Sequence, residues 1–240
     1  MDVTLTAPPW VTHLVSDLTD WNRAPLPVSA LRRFTLHDDA YFEYAFLDAS
    51  GTARPDPDNP WPLQNPWWDF ARNLWGPAYR PDPSAEVGAA RPRGQLLRAT
   101  IRSSTLGQQR RYLVYTPAGY AGEKLPLVLF QDGMAYYAYG KVPQIYDRLL
   151  ATQQVHPAHL VFVPPRDRVR EYAFNPVYRQ FLVAELLPAV EARLLSSGER
   201  IAWGASLGGC RVPCWPGNIP TCSRWWWPNL VPSSSFPARI

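Results

Sequence analysis

The stretch Gly204-Ala205-Ser206-Leu207-Gly208-Gly209 places a serine between glycines at two-residue spacing. A hydroxyl is a poor nucleophile unless the backbone presents it and a base takes its proton. Small residues two before and two after the serine let the chain turn sharply from a strand without clashing, which leaves the Oγ exposed. Attack on a carbonyl also needs N–H donors where negative charge develops. The amide of Leu207, next after the serine, is the first candidate. For the second, Phe130-Gln131-Asp132-Gly133-Met134 follows an apolar run, and a glycine there lets the backbone bend an amide toward Ser206. Met134 and Gly133 are both candidates, with an ordinary strand-end turn as the competing reading. The run Arg166-Asp167-Arg168-Val169-Arg170 carries guanidinium groups that suit a delocalised anion. Arg170 is the candidate substrate contact, against a solvated loop in which it pairs with Asp167 or Glu171.

The elements that must position these groups follow from periodicity. Leu97-Arg98-Ala99-Thr100-Ile101-Arg102 alternates, and Tyr112-Leu113-Val114-Tyr115 follows a turn at Leu106-Gly107, so a β-hairpin is expected. Leu125 to Phe130 and Leu160 to Val163 are continuous apolar runs of strand length, as parallel strands buried on both faces should be. Between them Val142 to Gln154 has helical spacing. Asn175-Pro176 supplies an N-cap and an N1 proline for a helix to about Leu195, with a kink expected at Pro188;. Arg200-Ile201-Ala202-Trp203 then reads as the strand that leads into the serine turn. Hairpin, strand, helix, strand, helix, strand implies an α/β sheet.

The first ninety residues read differently. Trp10 to Val15 and Tyr41 to Leu47 are short aromatic and β-branched runs between turn formers, which suggests a β-sandwich. From Pro55 to Pro92 there are nine prolines in 38 residues, a density that disfavours an interior helix or central strand. Trp61, Trp67, Trp68 and Trp75 lie inside this stretch, so it is expected to pack between the two domains rather than float in water.

Two resemblances attach to these residues. Leu14 to Trp21, Phe42 to Phe46 and Asp56 to Pro60 resemble early-set immunoglobulin-like domains related to glycogen-binding modules. Tyr112 to Pro117, Phe130 to Gly133, Arg170-Glu171-Tyr172, Asn175-Pro176, Phe181, Glu185 to Pro188 and Gly204 to Gly209 together resemble the putative esterase family that includes enterochelin (ferric-siderophore) esterases. The resemblances imply an immunoglobulin-like β domain, taken over residues 1–62, and the N-terminal part of an α/β-hydrolase domain, taken over 93–209; the proline and tryptophan density makes 63–92 the expected connecting segment. The esterase resemblance implies a cytoplasmic serine hydrolase of carboxylic esters, whose small-molecule partner includes a ferric catecholate siderophore among the candidates. No cofactor and no metal are implied. A non-catalytic carbohydrate- or siderophore-binding protein is the alternative.

Two departures stand against the resemblance. In an α/β hydrolase the acid and the histidine follow the serine, yet here His13, His37, His156 and His159 all precede Ser206 and the last acidic residue is Glu199. An impaired or inactive catalyst is therefore expected. Composition also shifts at Cys210: residues 210–240 hold all three cysteines, six prolines, four tryptophans and no acid. A chain truncated by a reading-frame change after position 209 is the expectation, with an aromatic tail that docks a partner as the rival. The cysteine spacings do not form a zinc pattern.

Composition limits the remaining classes. Hydrophobic residues at 46% and charged residues at 18% exclude global disorder;. The net charge of +4 includes three arginines in residues 210–240, so the rest of the chain, 21 basic against 20 acidic residues, is close to neutral. That leaves no electrostatic footprint for nucleic acid. No apolar run approaches the ~18 residues of a membrane helix, and Met1-Asp2-Val3 begins no secretory leader.

Overall fold

The computed structural model describes residues 1–28, 31–60, 65–83, 92–205 and 208. The chain divides into two units, Met1–Pro81 and Asp82–Ile240.

The first unit is all β: β1 (Asp2–Thr6), β2 (His13–Ser16), β3 (Leu26–Pro27), β4 (Leu31–Thr35), β5 (Tyr41–Leu47), β6 (Ala53–Arg54) and β7 (Arg72–Trp75). One sheet is β1 with β4, and the other runs β3-β2-β5-β6 with β7 also on β5. Alternation in β1 turns Val3 and Leu5 inward, where they meet Leu14, Phe34, Phe42, Tyr44 and Phe46. Both sheets thus contribute to one core.

The segment expected only to connect, 63–92, supplies a strand of this unit. β7 pairs antiparallel with Tyr41 to Tyr44 of β5. Its four residues contain no proline, so every N–H is available to the ladder;. Trp68 stacks on Trp21 with ring centroids 4.2 Å apart, and Trp75 packs with Tyr41 and Tyr79. Trp61 lies outside the described residues.

The second unit holds β8 (Gln95–Ser103), β9 (Gln108–Thr116), β10 (Leu125–Phe130), β11 (His159–Phe162) and β12 (Ser196–Trp203) in the order β12-β10-β11-β9-β8. The β8–β9 hairpin turns through Gly107, whose φ of +64° suits a residue without Cβ;. β9 meets β11 antiparallel, and β11, β10 and β12 are mutually parallel along that path. β12 begins four residues earlier than its apolar residues suggest, at Ser196.

The helices are α1 (Val142–Ala151), α2 (Arg168–Tyr172), α3 (Pro176–Gln180) and α4 (Leu187–Glu191). Asn175 Oδ1 caps α3 by accepting from the amides of Val177 and Tyr178, and Pro176 follows at the first helical position;. The expected break at Pro188 takes the form of a π-helical turn, Phe181–Leu186, joining α3 to α4. A proline in a helix lacks an N–H and crowds the carbonyl four residues back; the wider turn relieves that crowding, and Leu187 N–H donates to Leu182 O;. Phe181, Leu182, Leu186 and Val190 pack from this stretch onto Tyr112, Val114, Leu127 and Val161, each contributing about 1.5–3 kcal/mol by burial. A second cluster around Phe130, Tyr146, Leu160 and Phe162 covers the other face.

Register brings the carboxyl ends of three strands together, because Phe130 is paired with Phe162 on one side and Trp203 on the other. Segments 131–134, 163–168 and 204–205 therefore leave the sheet side by side. In open parallel sheets this is where ligands bind.

Candidate active site

The end of β10 is pinned on both sides. Gln131 N–H donates to Trp203 O at 2.8 Å and Gly133 N–H to Val163 O at 3.0 Å. Between them Asp132 adopts a left-handed φ of +54°, which Asp tolerates better than most residues;. This sharp turn lets the Asp132 carbonyl accept from the amides of Ala135 and Tyr136 at 2.8 and 3.3 Å. A Cβ on Gly133 would overlap the backbone of Phe162 and Val163, so only glycine fits there.

These bonds separate the two candidate donors. The Gly133 amide is committed to Val163, which removes it as an oxyanion donor in this geometry, whereas Met134 lies on the exposed side of the turn. Ser206 and Leu207 lie outside the described residues, as does the tail 210–240. The residues that bracket the serine do not. Ala205 O accepts from Gly208 N–H at 2.9 Å and from an Arg168 guanidinium nitrogen at 3.2 Å. Gly208 sits so close to Gln131, Asp132 and Tyr172 that an added Cβ would lie 3.2 Å from Gln131 Cβ and 3.3 Å from Asp132 Oδ2.

Arg168 grips Asp132 with two parallel bonds, Nε to Oδ1 at 2.8 Å and a terminal nitrogen to Oδ2 at 3.0 Å. The Asp132 hydrogen bond holds the guanidinium above its ordinary pKa. Asp132 N–H donates to Tyr172 Oη at 2.7 Å, and burial pushes that phenol's pKa well up. Sequence reasoning missed this pair. Its traces were an acid at the end of an apolar strand and an arginine run with more cations than its own acid can neutralise.

Arg170, the candidate substrate contact, points into solvent and pairs with Asp167 at 3.4 Å. Asp167 also caps α2 through the Arg170 amide. The solvated-loop alternative matches this placement. Another arginine of the run, Arg166, lines a cavity of about 870 Å³ together with Arg98, Arg111, Met134 and Tyr137.

His159, one of the two histidines of the second unit, stands at the start of β11, away from the strand ends. Nδ1 is 2.8 Å from Thr116 Oγ1 and Nε2 is 3.3 Å from Leu195 O. Burial lowers its pKa, and both ring nitrogens are engaged, so it supplies no base to the site. Among the described residues no group of three or more His, Cys, Asp or Glu side chains could hold a metal ion. No described helix is long and apolar enough to cross a membrane.

Residues 103–212 match the family model described as Putative esterase. In structure the chain is similar to the enterochelin esterase from Shigella flexneri, at 19% identity and a TM-score of 0.68, covering 87% of this chain and 64% of that one. It is similar to the Shigella flexneri enterobactin esterase in the presence of enterobactin, at 18% identity and a TM-score of 0.67, covering 88% and 66%. It is also similar to the ferric enterobactin esterase from Salmonella typhimurium, at 19% identity and a TM-score of 0.66, covering 87% and 66%. The uncharacterized protein YjcH of Bacillus subtilis (strain 168) is 27% identical over 94 residues, 36% of this chain and 39% of that protein. The chain thus spans just under two thirds of these esterase structures. At such identities the structural likeness shows the fold, which is α/β-hydrolase-like.

Proposed function

We propose, from the premise that residues 103–212 are a domain of the Putative esterase family, that this chain is a serine carboxylic ester hydrolase of the enterochelin-esterase-like type. The observation that carries the reading is that Gly208 N–H donates to Ala205 O while Gly208 lies against Gln131 and Asp132, just past the end of β10. Ser206 Oγ adds to the ester carbonyl and gives up its proton, the Leu207 and Met134 amides donate to the oxyanion, and the bond from the carbonyl carbon to the alkoxy oxygen breaks as that oxygen takes the proton and leaves as the alcohol. The acyl-enzyme then takes up water to release the acid.

The substrate we propose is a catecholate siderophore ester. Similarity to esterases whose structures include enterobactin supports this, as does a cavity beside Met134 lined by Arg98, Arg111 and Arg166, since guanidinium groups suit catecholate oxygens. Arg170 then serves as an outer contact at most. The first unit we read as an immunoglobulin-like sandwich, supported by its two sheets around one core.

A fluorophosphonate probe should label Ser206, with labelling abolished in Ser206→Ala, and ferric enterobactin should be cleaved to dihydroxybenzoyl-serine by wild type and not by Ser206→Ala. Full labelling of Ser206→Ala would refute the assignment. The same arginine cavity favours one second reading, a non-catalytic siderophore binder. Tight binding by wild type and Ser206→Ala alike, with turnover by neither, would identify it.

A further inference from the structure

The Ala205 carbonyl has two lone pairs and uses both. One receives the Gly208 amide and the other receives Arg168. The same guanidinium holds Asp132, whose own amide is fixed by the buried Tyr172 hydroxyl and whose carboxylate faces Gly208. Arg168 thereby connects two segments that are 36 or more residues from it in sequence and belong to different strand ends. One bears the serine and the other bears the Met134 amide.

We propose that Arg168, oriented by Asp132, is a positioning residue that sets the distance between the serine turn and the Met134 amide. The relation matters because an oxyanion donor must lie within about 2.7–3.1 Å of the place where charge develops, and a displacement of about 1 Å can cost on the order of a hundredfold in rate. A planar fork reaches Asp132 with two bonds while the second N–H of the same terminal nitrogen turns to the Ala205 carbonyl; the compact ammonium of a lysine cannot do both. The esterase consequence rests on the reading of Ser206 given above, but the clamp itself is a property of the backbone and is measurable without activity.

Hydrogen–deuterium exchange on the full chain, with Arg168→Gln, Arg168→Lys and Asp132→Asn beside wild type, tests it. Exchange of the peptide covering 203–209 should rise at least tenfold in Arg168→Gln and in Asp132→Asn, with β8–β9 peptides within twofold of wild type. Arg168→Lys should recover little of the protection. Fluorophosphonate labelling of Ser206 should slow at least tenfold in rate constant with little change in the half-saturating probe concentration. Wild-type exchange over 203–209 in both variants overturns the clamp whatever the labelling shows. Full recovery by lysine overturns the fork geometry, since charge alone would then suffice. If wild type is not labelled and the exchange still rises, the clamp stands and the esterase reading falls. If Arg168→Gln does not fold, Asp132→Asn decides; failure of both to melt cooperatively assigns the pair to general stability and overturns the positioning role.

Discussion

Two arginine–carboxylate forks each draw one member from α2, Arg168 and Glu171, and they are built for different ends. Arg110 and Glu171 form one, with bonds of 2.9 and 3.0 Å and a third from Arg110 to Pro164 O at 2.9 Å. Their side chains are 2% and 9% exposed, and the guanidinium lies over the rings of Tyr178 and Phe181 at 5.6 and 5.3 Å. Arg168 and Asp132 form the other at nearly the same distances, but Arg168 is 26% exposed and spends a bond on a carbonyl of the serine turn. A sealed fork fixes a loop, and a half-open fork can hold something that chemistry must reach. Geometry of the pair alone does not distinguish them. Burial and the third partner do.

The sealed fork should give the largest effect. Glu171→Gln leaves the Arg110 charge buried without its counter-ion, which typically costs about 3–5 kcal/mol. The urea midpoint should fall steeply, and amide exchange should rise through 164–171. By contrast, replacing both partners with apolar residues, as in Arg110→Met with Glu171→Leu, should recover most of that loss, because the desolvation of both charges disappears together. If the double variant is as unstable as the single one, the pair is doing more than compensating its own burial, and the contrast between the two forks fails.

Arg168→Gln should cost less, about 1–2 kcal/mol, because water can reach the vacated side of Asp132 where the arginine was partly exposed. Chemical denaturation of the two variants side by side ranks the forks. A loss equal to that of Glu171→Gln would mean that Asp132 is sealed as well.

Much of the scaffold of this site was legible because its signals are local. Asn175-Pro176 caps its helix as the residue types dictate, Gly107 turns its hairpin, and the apolar runs at 125 and 160 are the parallel strands. β1 was missed although Asp2 to Thr6 alternates cleanly, and β7 was hidden by the prolines around it. The forks were not legible at all. Arg110 and Glu171 are 61 residues apart and Asp132 and Arg168 are 36 apart; each pairing exists only once β9, β10 and β11 lie side by side. The occupied Gly133 amide has the same origin, since its partner Val163 arrives from another strand. Spacing located the candidate donors, and only sheet register chose between them.

A third carboxylate sharpens the comparison, since it is held by neutral donors and no cation. Glu185 Oε1 accepts from Ser104 Oγ at 2.6 Å, Thr105 N–H at 2.9 Å and Thr105 Oγ1 at 2.7 Å, tying the π-helical turn to the tip of the β8–β9 hairpin. Burial works to raise its pKa, but hydrogen bonds from Ser103, Ser104 and Thr105 outweigh it and bring the group from an ordinary 4.5 to about 2. A carboxyl whose folded pKa is depressed stabilises the fold above its unfolded pKa and loses that contribution as pH falls toward the folded value. Glu185→Gln should therefore cost about 1.5–3 kcal/mol at pH 7, the usual worth of a hydrogen bond to a charged acceptor. The gap between wild type and variant should hold down to about pH 5 and narrow between 4.5 and 2;. Urea midpoints of both proteins from pH 7 to pH 3.5 measure it, with the remaining carboxylates common to both and cancelling in the difference. A gap that stays constant across that range would mean that the hairpin tip is held by shape and not by the charge on Glu185.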